Sequence, residues 1–372
     1  VNAAGNGGEI NNIRGTAMVD EPILDPELPI IDPHHHLWDM RGRFGPDAPP
    51  ARHGFEALLR RSPHYLLDQL LADIGAGHNV RATVFVECGA MYRAGASAAL
   101  APVGETEFVN GVAAMSASGL YGEARACAGI VGHADLTLGD AVAPVLEAHL
   151  AAGGGRFRGV RQSARYDPDP AVLGPLGGMT AGFYRSAAFR AGFAHLAAHR
   201  LSFDAWLLEP QLPDLIDLAS TYPETTIILD HLGTPLGIGA YAGQREGRFD
   251  EWRNNIRALA ERPNVVCKIG GLAMPFLGFP SFMADPPASS EMLAQEWRPY
   301  VETAIEAFGA ERCMFESNFP VDAGTCDYAT LWNAFKRLAA GASADEKAAL
   351  FHDTARRTYR LEARSEDQTA AG

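Results

Sequence analysis

The chain has 372 residues, with 45 Asp or Glu against 31 Lys or Arg and a formal net charge of −14. That balance excludes a nucleic-acid backbone or an anionic membrane surface as partner, since both would repel it, and points to a small molecule instead. Hydrophobic residues make up 47% and charged residues 20%, as in a soluble globular protein; five scattered cysteines (Cys88, Cys127, Cys267, Cys313, Cys326) without CxxC spacing exclude a disulfide framework or zinc knuckle and suit a reducing cytoplasm.

Residues 1–18, rich in Gly and Asn, read as a flexible extension and 362–372 as a flexible tail, leaving one domain over 19–361. No apolar run nears the ~20 residues that cross a bilayer. The first strand is expected over 28–34, running into Asp32-Pro33-His34-His35-His36-Leu37-Trp38-Asp39. Strand alternation would put His34 and His36 on one face with Asp32 and Trp38, and His35 on the other. A long segment, 39–79, follows.

Strands are then expected over 82–87, ending in Glu87; 128–132, followed by His133; 157–162, carrying Arg161; and 201–207, followed by Glu209. Three more lie at 225–230, followed by His231; 264–269, carrying Lys268; and 312–317, carrying Glu316 and followed by Asn318. Between them, helical spacing appears at 140–152, 189–199, 211–221, 249–261 and 289–308, with another such run, 328–339, after the last strand. Eight alternations of strand and helix predict an α/β fold, a single (β/α)8 TIM-type barrel with extended loops at the carboxyl-terminal face, of which 39–79 and 274–290 are the longest. A doubly wound sheet is disfavoured because no GxGxxG follows the first strand.

A barrel does its chemistry at the carboxyl ends of its strands, where this chain places His34, His36, Glu87, His133, Arg161, Glu209, His231, Lys268, Glu316 and Asn318. Singly, a charge at a strand end is usually just solvated. Converging from eight strands, these residues make a site.

With Asp-Pro-His-His-His-Leu-Trp-Asp at 32–39, Arg-Gly-Val-Arg at 158–161, Asp-His-Leu-Gly-Thr-Pro at 230–235 and Ser-Asn-Phe-Pro-Val-Asp at 317–322, in that order, the chain resembles the amidohydrolase-related group of the metal-dependent hydrolase superfamily, in its lactonase-like branch. The resemblance runs from about Pro29 to Leu361. It implies that His34 and His36 are the paired histidines of the first strand and that His231 meets the substrate or its attacking water. Two positions depart from the pattern: Glu209 stands where the group often has histidine, and Glu316-Ser317-Asn318 replaces Gly-Ser-Asp. The lost aspartate is normally the base, and Asn318 has no titratable proton near neutral pH.

His34, His36 and Glu209 would make a three-ligand set for zinc or manganese, whose bound water falls in pKa from about 15.7 to about 7. A metal-free site is the alternative, with Glu209 or Glu316 as the base that activates water. Arg161 and Lys268 suit an anionic substrate or a developing oxyanion, with His231 as a further donor. Glu87, His133, Trp38 and Tyr92 join them as substrate contacts, and Trp206, Phe276 and Phe279 as apolar walls. The expected activity is hydrolysis of a small cyclic ester, a lactone of a sugar acid or of an aromatic breakdown product. The alternatives are nonoxidative decarboxylation or hydration of an unsaturated acid on the same barrel, and a non-catalytic barrel that binds a small acid. Whether the chain forms a homo-oligomer is left open.

Overall fold

The apolar runs become eight parallel strands: β1 (Pro29–His35), β2 (Asn79–Val86), β3 (Arg125–Gly132), β4 (Phe157–Arg161), β5 (Ser202–Ala205), β6 (Ile227–Leu229), β7 (Val265–Ile269) and β8 (Cys313–Phe315). Each pairs with the next in chain order. The ring closes where His35 bridges Phe319, with His36 N–H donating to the Phe319 carbonyl at 2.7 Å and Asn318 N–H to that of His34 at 2.9 Å. This computed structural model describes residues 21–45 and 47–362, so the readings of 1–18 and of the tail beyond 362 lie outside the described residues. Among the described residues no helix is long and apolar enough to cross a membrane, and all five cysteines are free thiols.

Below the polar strand ends the barrel is filled by Ile31, Ala82, Val84, Val86, Ala128, Val131, Ile228 and Met314, with Ala355, Tyr359 and Leu361 from the chain's last turns packed against them. A larger apolar layer, including Phe203, Trp252, Trp297 and Trp332, joins strands to the helices outside. Helix Ser290–Phe308 shows why: Leu293, Trp297, Tyr300, Val301, Ala304 and Phe308 recur at intervals of three and four and form its buried stripe, and the Ser289 hydroxyl caps its first turn. The helices expected at 140–152, 211–221, 249–261 and 328–339 appear as Ala143–Ala152, Leu212–Thr221, Arg245–Ala260 and Tyr328–Leu338. That expected at 189–199 is divided into Ala187–Phe193 and His195–Ala198.

The segment 39–79 is an ordered cover: it holds helices Gly54–Leu59 and Leu67–Ile74 and a short antiparallel pair, Trp38–Asp39 with His64–Tyr65. Helix Val103–Ala117 escaped the sequence reading because its buried stripe mixes Glu105, Thr106 and Ser116 with Val109, Val112 and Ala113, so burial leaves no apolar period. Gly104 is required there: a Cβ would come within 2.6 Å of the Met91 carbonyl oxygen.

Strand alternation fails at one place that matters. Between Asp32, paired with Thr83, and His35, paired with Phe85, β1 spends one residue more than β2. This bulge reverses the parity of the strand. Asp32 therefore does not share the face of His34 and His36 as expected; it turns away, accepting from Ser317 N–H at 3.0 Å and Tyr328 O–H at 3.0 Å. His35 faces away from the site as anticipated, its Nε2 2.8 Å from Thr83 Oγ1.

Candidate active site

The strand ends deliver a layer of buried charge. Glu316, just past β8, is its centre: Oε2 lies 2.6 Å from His34 Nδ1, and Oε1 lies 2.7 Å from His231 Nδ1. The His231 contact is a hydrogen bond with Nδ1–H as donor, leaving its Nε2 with the lone pair, whereas His34 Nδ1 meets Glu316 Oε2 without hydrogen-bond alignment and lies 3.3 Å from Lys268 Nζ. Backbone N–H of His231 adds a further bond to Glu316 at 3.2 Å. His231 and Leu232 both adopt left-handed backbone, with φ of 54° and 56°, which turns the ring off the end of β6. Such strain in non-glycine residues persists only where the surroundings hold it. Gly271 leaves the space, since a Cβ there would meet His231 Nδ1 at 2.5 Å.

Beneath the histidines, Lys268 Nζ lies 2.7 Å from Asp204 Oδ2, 3.2 Å from Asp230 Oδ1 and 4.0 Å from Glu316 Oε2. Burial alone would discharge this ammonium, but Asp204, Asp230 and Glu316 raise its pKa above the ordinary lysine value. Asp230 is held low despite burial, by Lys268 and then His231 and Arg161. Tyr359, from the plug at the chain's end, donates to Asp204 Oδ2 at 2.6 Å. Burial, then Lys268, holds the His34 imidazole well below its usual pKa, and burial and Arg161 do so for His36, so both are neutral at pH 7.

Above this floor opens a cavity of about 650 Å³. Its walls include His36, Trp38, Glu87, Tyr92, His133, Arg161, Trp206, His231 and Asn318, all singled out from the sequence. Arg161 donates from Nε to Glu87 Oε1 at 2.8 Å and from Nη1 to His34 Nε2 at 3.3 Å. Burial opposes its charge, yet Glu87 and Asp230 hold it above the usual arginine value. His36 and His133 each use Nδ1 on a carbonyl, Val86 O at 2.7 Å and Arg161 O at 3.1 Å, leaving Nε2 without a hydrogen bond among the described residues. Trp38 stacks on His36 with ring centroids 5.8 Å apart.

Several expected site residues are elsewhere. Glu209 does not reach the cavity or the histidines: Arg248 takes its Oε1 in an ion pair, and Leu236 N–H donates to its Oε2 at 3.2 Å. It opens the short 3-10 turn Glu209–Gln211 after β5 and points to Arg248 on the following helix, so it belongs neither to a ligand set with His34 and His36 nor to water activation. Lys268 and Glu316 are fully buried behind the histidines and do not line the cavity, which rules out direct substrate contact by either as the side chains stand. Phe276 stacks on Phe55, and Phe279 lies under Arg245; neither is a cavity wall. Asp204 and Asp230 were missed as site residues, although each is an ionisable residue inside or ending an apolar strand, the signal that had singled out Lys268. Glu105 was missed inside its helix. It accepts from Cys88 N–H at 3.1 Å and Ala90 N–H at 2.7 Å, fixing the loop beside the cavity, and burial with Glu87 nearby pushes it up to about 8.

Among the described residues, His34, Asp230 and His231 have metal-ligand spacing, one ligand atom of each lying within 4.8 Å of the others. This group replaces the expected set of His34, His36 and Glu209. Its ligand atoms are already occupied. Arg161 Nη1 is 3.3 Å from His34 Nε2 and 3.5 Å from Asp230 Oδ2, and Lys268 faces Asp230 Oδ1. Glu316 lies against the Nδ1 of both histidines. Glu87, Asp204, Asp230 and Glu316 balance the two cations, but with Arg161 and Lys268 in place His34 and Asp230 share no open position, so these side chains, as they stand, do not fit a divalent ion.

A family model described as Amidohydrolase matches residues 31–361. A Sinorhizobium fredii protein named "Uncharacterized protein y4mH" is 34% identical over 339 residues, spanning 90% of this chain and 99% of its own. An L-fucono-1,5-lactonase of Burkholderia multivorans is 29% identical over 336 residues, spanning 89% and 96%. Among solved structures, an amidohydrolase from Burkholderia multivorans, seen once with bound HEPES and once with bound zinc, aligns with a TM-score of 0.67 at 28% identity, over 90% of this chain and 99% of that one.

Proposed function

Given that the chain belongs to the amidohydrolase family, we propose that it hydrolyses a small cyclic ester, opening a lactone ring with one water molecule. The observation that carries this reading is the pairing of Glu316 with His231 Nδ1 at 2.7 Å, which leaves the opposite edge of a cavity-lining imidazole as a proton acceptor. The lactonase name of the Burkholderia relatives, similar along nearly the whole chain, supports it.

In this reading a water in the cavity gives its proton to His231 Nε2 as its oxygen attacks the ring carbonyl. Glu316 stabilises the imidazolium through Nδ1–H, the division of labour of a carboxylate–histidine pair. Arg161, charged and lining the same wall, supplies positive potential to the tetrahedral oxyanion. The ring C–O bond then breaks, and the departing oxygen takes the proton back from His231. The product is a hydroxy acid, which ionises and releases one proton to solvent. His231 thus takes the role of base that the sequence reading gave to Glu209 or Glu316.

The test is proton release measured on a panel of γ- and δ-lactones, alongside CO₂ release from aryl carboxylic acids. Acid production without CO₂ is expected. CO₂ release without ring opening would replace this reading by decarboxylation.

Metal is the usual device of this superfamily, and the zinc-bound relative has it. Here Arg161 and Lys268 already stand at the ligand atoms and supply the positive charge. We therefore expect lactone opening to survive exhaustive dialysis against a chelator. Loss of activity that added zinc or manganese restores would overturn this expectation.

A further inference from the structure

The sequence assigned anion recognition to Arg161 and Lys268, and the structure leaves neither free to pair with a substrate carboxylate. Arg161 is ion-paired with Glu87 and Asp230 beside the reacting end, and Lys268 with Asp204 and Asp230 beneath the floor. Two other guanidiniums line the cavity without an ion pair among the described residues, Arg43, which is exposed, and Arg165, which is half-buried. Arg165 stands four residues beyond the end of β4. Its Nε donates to the Leu176 carbonyl at 3.1 Å, and its Cζ lies 4.7 Å from the centroid of the Trp206 ring. Held on these two sides, it keeps Nη1 and Nη2 without a hydrogen-bond partner in the described protein. The carboxylates that share the cavity are engaged elsewhere, Glu87 with Arg161 and Asp135 with Thr137 and Gln162. Burial, with Glu87 pulling the other way and Arg161 adding repulsion, leaves the Arg165 pKa below the ordinary arginine value, as expected of a charge awaiting a counter-ion.

The placement also suits a substrate. Trp206 packs edge-on to His231, with centroids 6.1 Å apart, and carries Arg165 on the same indole. Arg165, Trp206 and His231 thus line the same cavity, with Arg161 also over the indole at 5.4 Å. We propose that Arg165 binds a carboxylate carried by the substrate at a distance from the scissile ester, so that the preferred substrates are lactones bearing a free carboxylate rather than neutral sugar lactones. The substrate class named here rests on the ring-opening reading above. A guanidinium with both Nη groups available matches a carboxylate bidentately, which an ammonium cannot do.

The experiment compares γ-butyrolactone-γ-carboxylate with its methyl ester, in the wild type, in Arg165→Gln and in Arg165→Lys. The wild type is expected to prefer the carboxylate, and Arg165→Gln to reduce that preference by about ten- to a hundred-fold, through KM, the worth of a charge-assisted hydrogen-bond pair. Arg165→Lys should restore part of it. Equal turnover of acid and ester by the wild type, or a preference that survives in Arg165→Gln, would overturn the proposal. Should neither lactone be opened, the ring-opening reading fails, and the carboxylate site is judged by glutarate alone. A rise in Tm with glutarate that Arg165→Gln abolishes upholds the site; no rise in the wild type refutes it.

Discussion

Changing Glu316 to glutamine is expected to lower kcat for lactone opening by about 10³- to 10⁴-fold, with KM changed far less. Glu316 accepts from His231 Nδ1–H at Oε1, while its Oε2 lies 2.6 Å from His34 Nδ1. An amide of the same size offers one acceptor and one donor, and with its NH2 turned to His231 the imidazole must move its proton to Nε2, where a lone pair was needed. If His231 keeps its tautomer, its imidazolium still loses the adjacent negative charge during proton transfer. A companion variant, His231→Asn, removes the acceptor itself and should fall about as far. Circular dichroism and Tm would show whether each variant is folded. A folded Glu316→Gln protein with less than about a tenfold loss in kcat would remove the dyad from the mechanism.

Changing Lys268 to methionine has the largest expected effect on stability, about 3–5 kcal/mol, because it leaves buried carboxylates without their cation. Asp204 and Asp230 lie 2.7 and 3.2 Å from Nζ, and all three side chains are fully buried. The loss should depend on pH, with a sign the groups dictate. Burial pushes Asp204 up to about 6 even with Lys268 beside it. Without that neighbour its pKa rises further, while in the unfolded chain it stays near 3.8. A carboxyl whose folded pKa lies above its unfolded value costs stability as pH climbs through that interval. Urea denaturation at pH 5 and pH 8 should therefore show the greater deficit at pH 8, where the buried pair is ionised. An equal deficit at both, or one below about 1 kcal/mol, would mean that Lys268 does not hold these charges.

The same residues show how far a reading of the chain could go. The order of strand and helix, the closure into a barrel and most of the cavity wall were legible, because apolar periodicity and residues at strand ends are local signals. Glu209 and Asp32 were misplaced by local features, a 3-10 turn beyond β5 and a one-residue bulge in β1, that leave no mark in hydrophobic pattern. Phe276 and Phe279 were taken for walls because an aromatic residue in a Gly/Pro-rich loop looks the same whether it faces a ligand or another ring.

By itself the sequence determined the fold, the family resemblance and which side chains crowd the carboxyl ends of the strands, since each follows from neighbours within a few residues along the chain. Which charge faces which was decided only by the tertiary structure. Glu316 and His231 are 85 residues apart and Arg161 and Glu87 are 74 apart, yet their roles rest on contacts shorter than 3 Å. Whether a buried charge is a reagent, a brace or a waiting partner depends on the Coulomb field of its few nearest neighbours, and that field exists only once the barrel has closed.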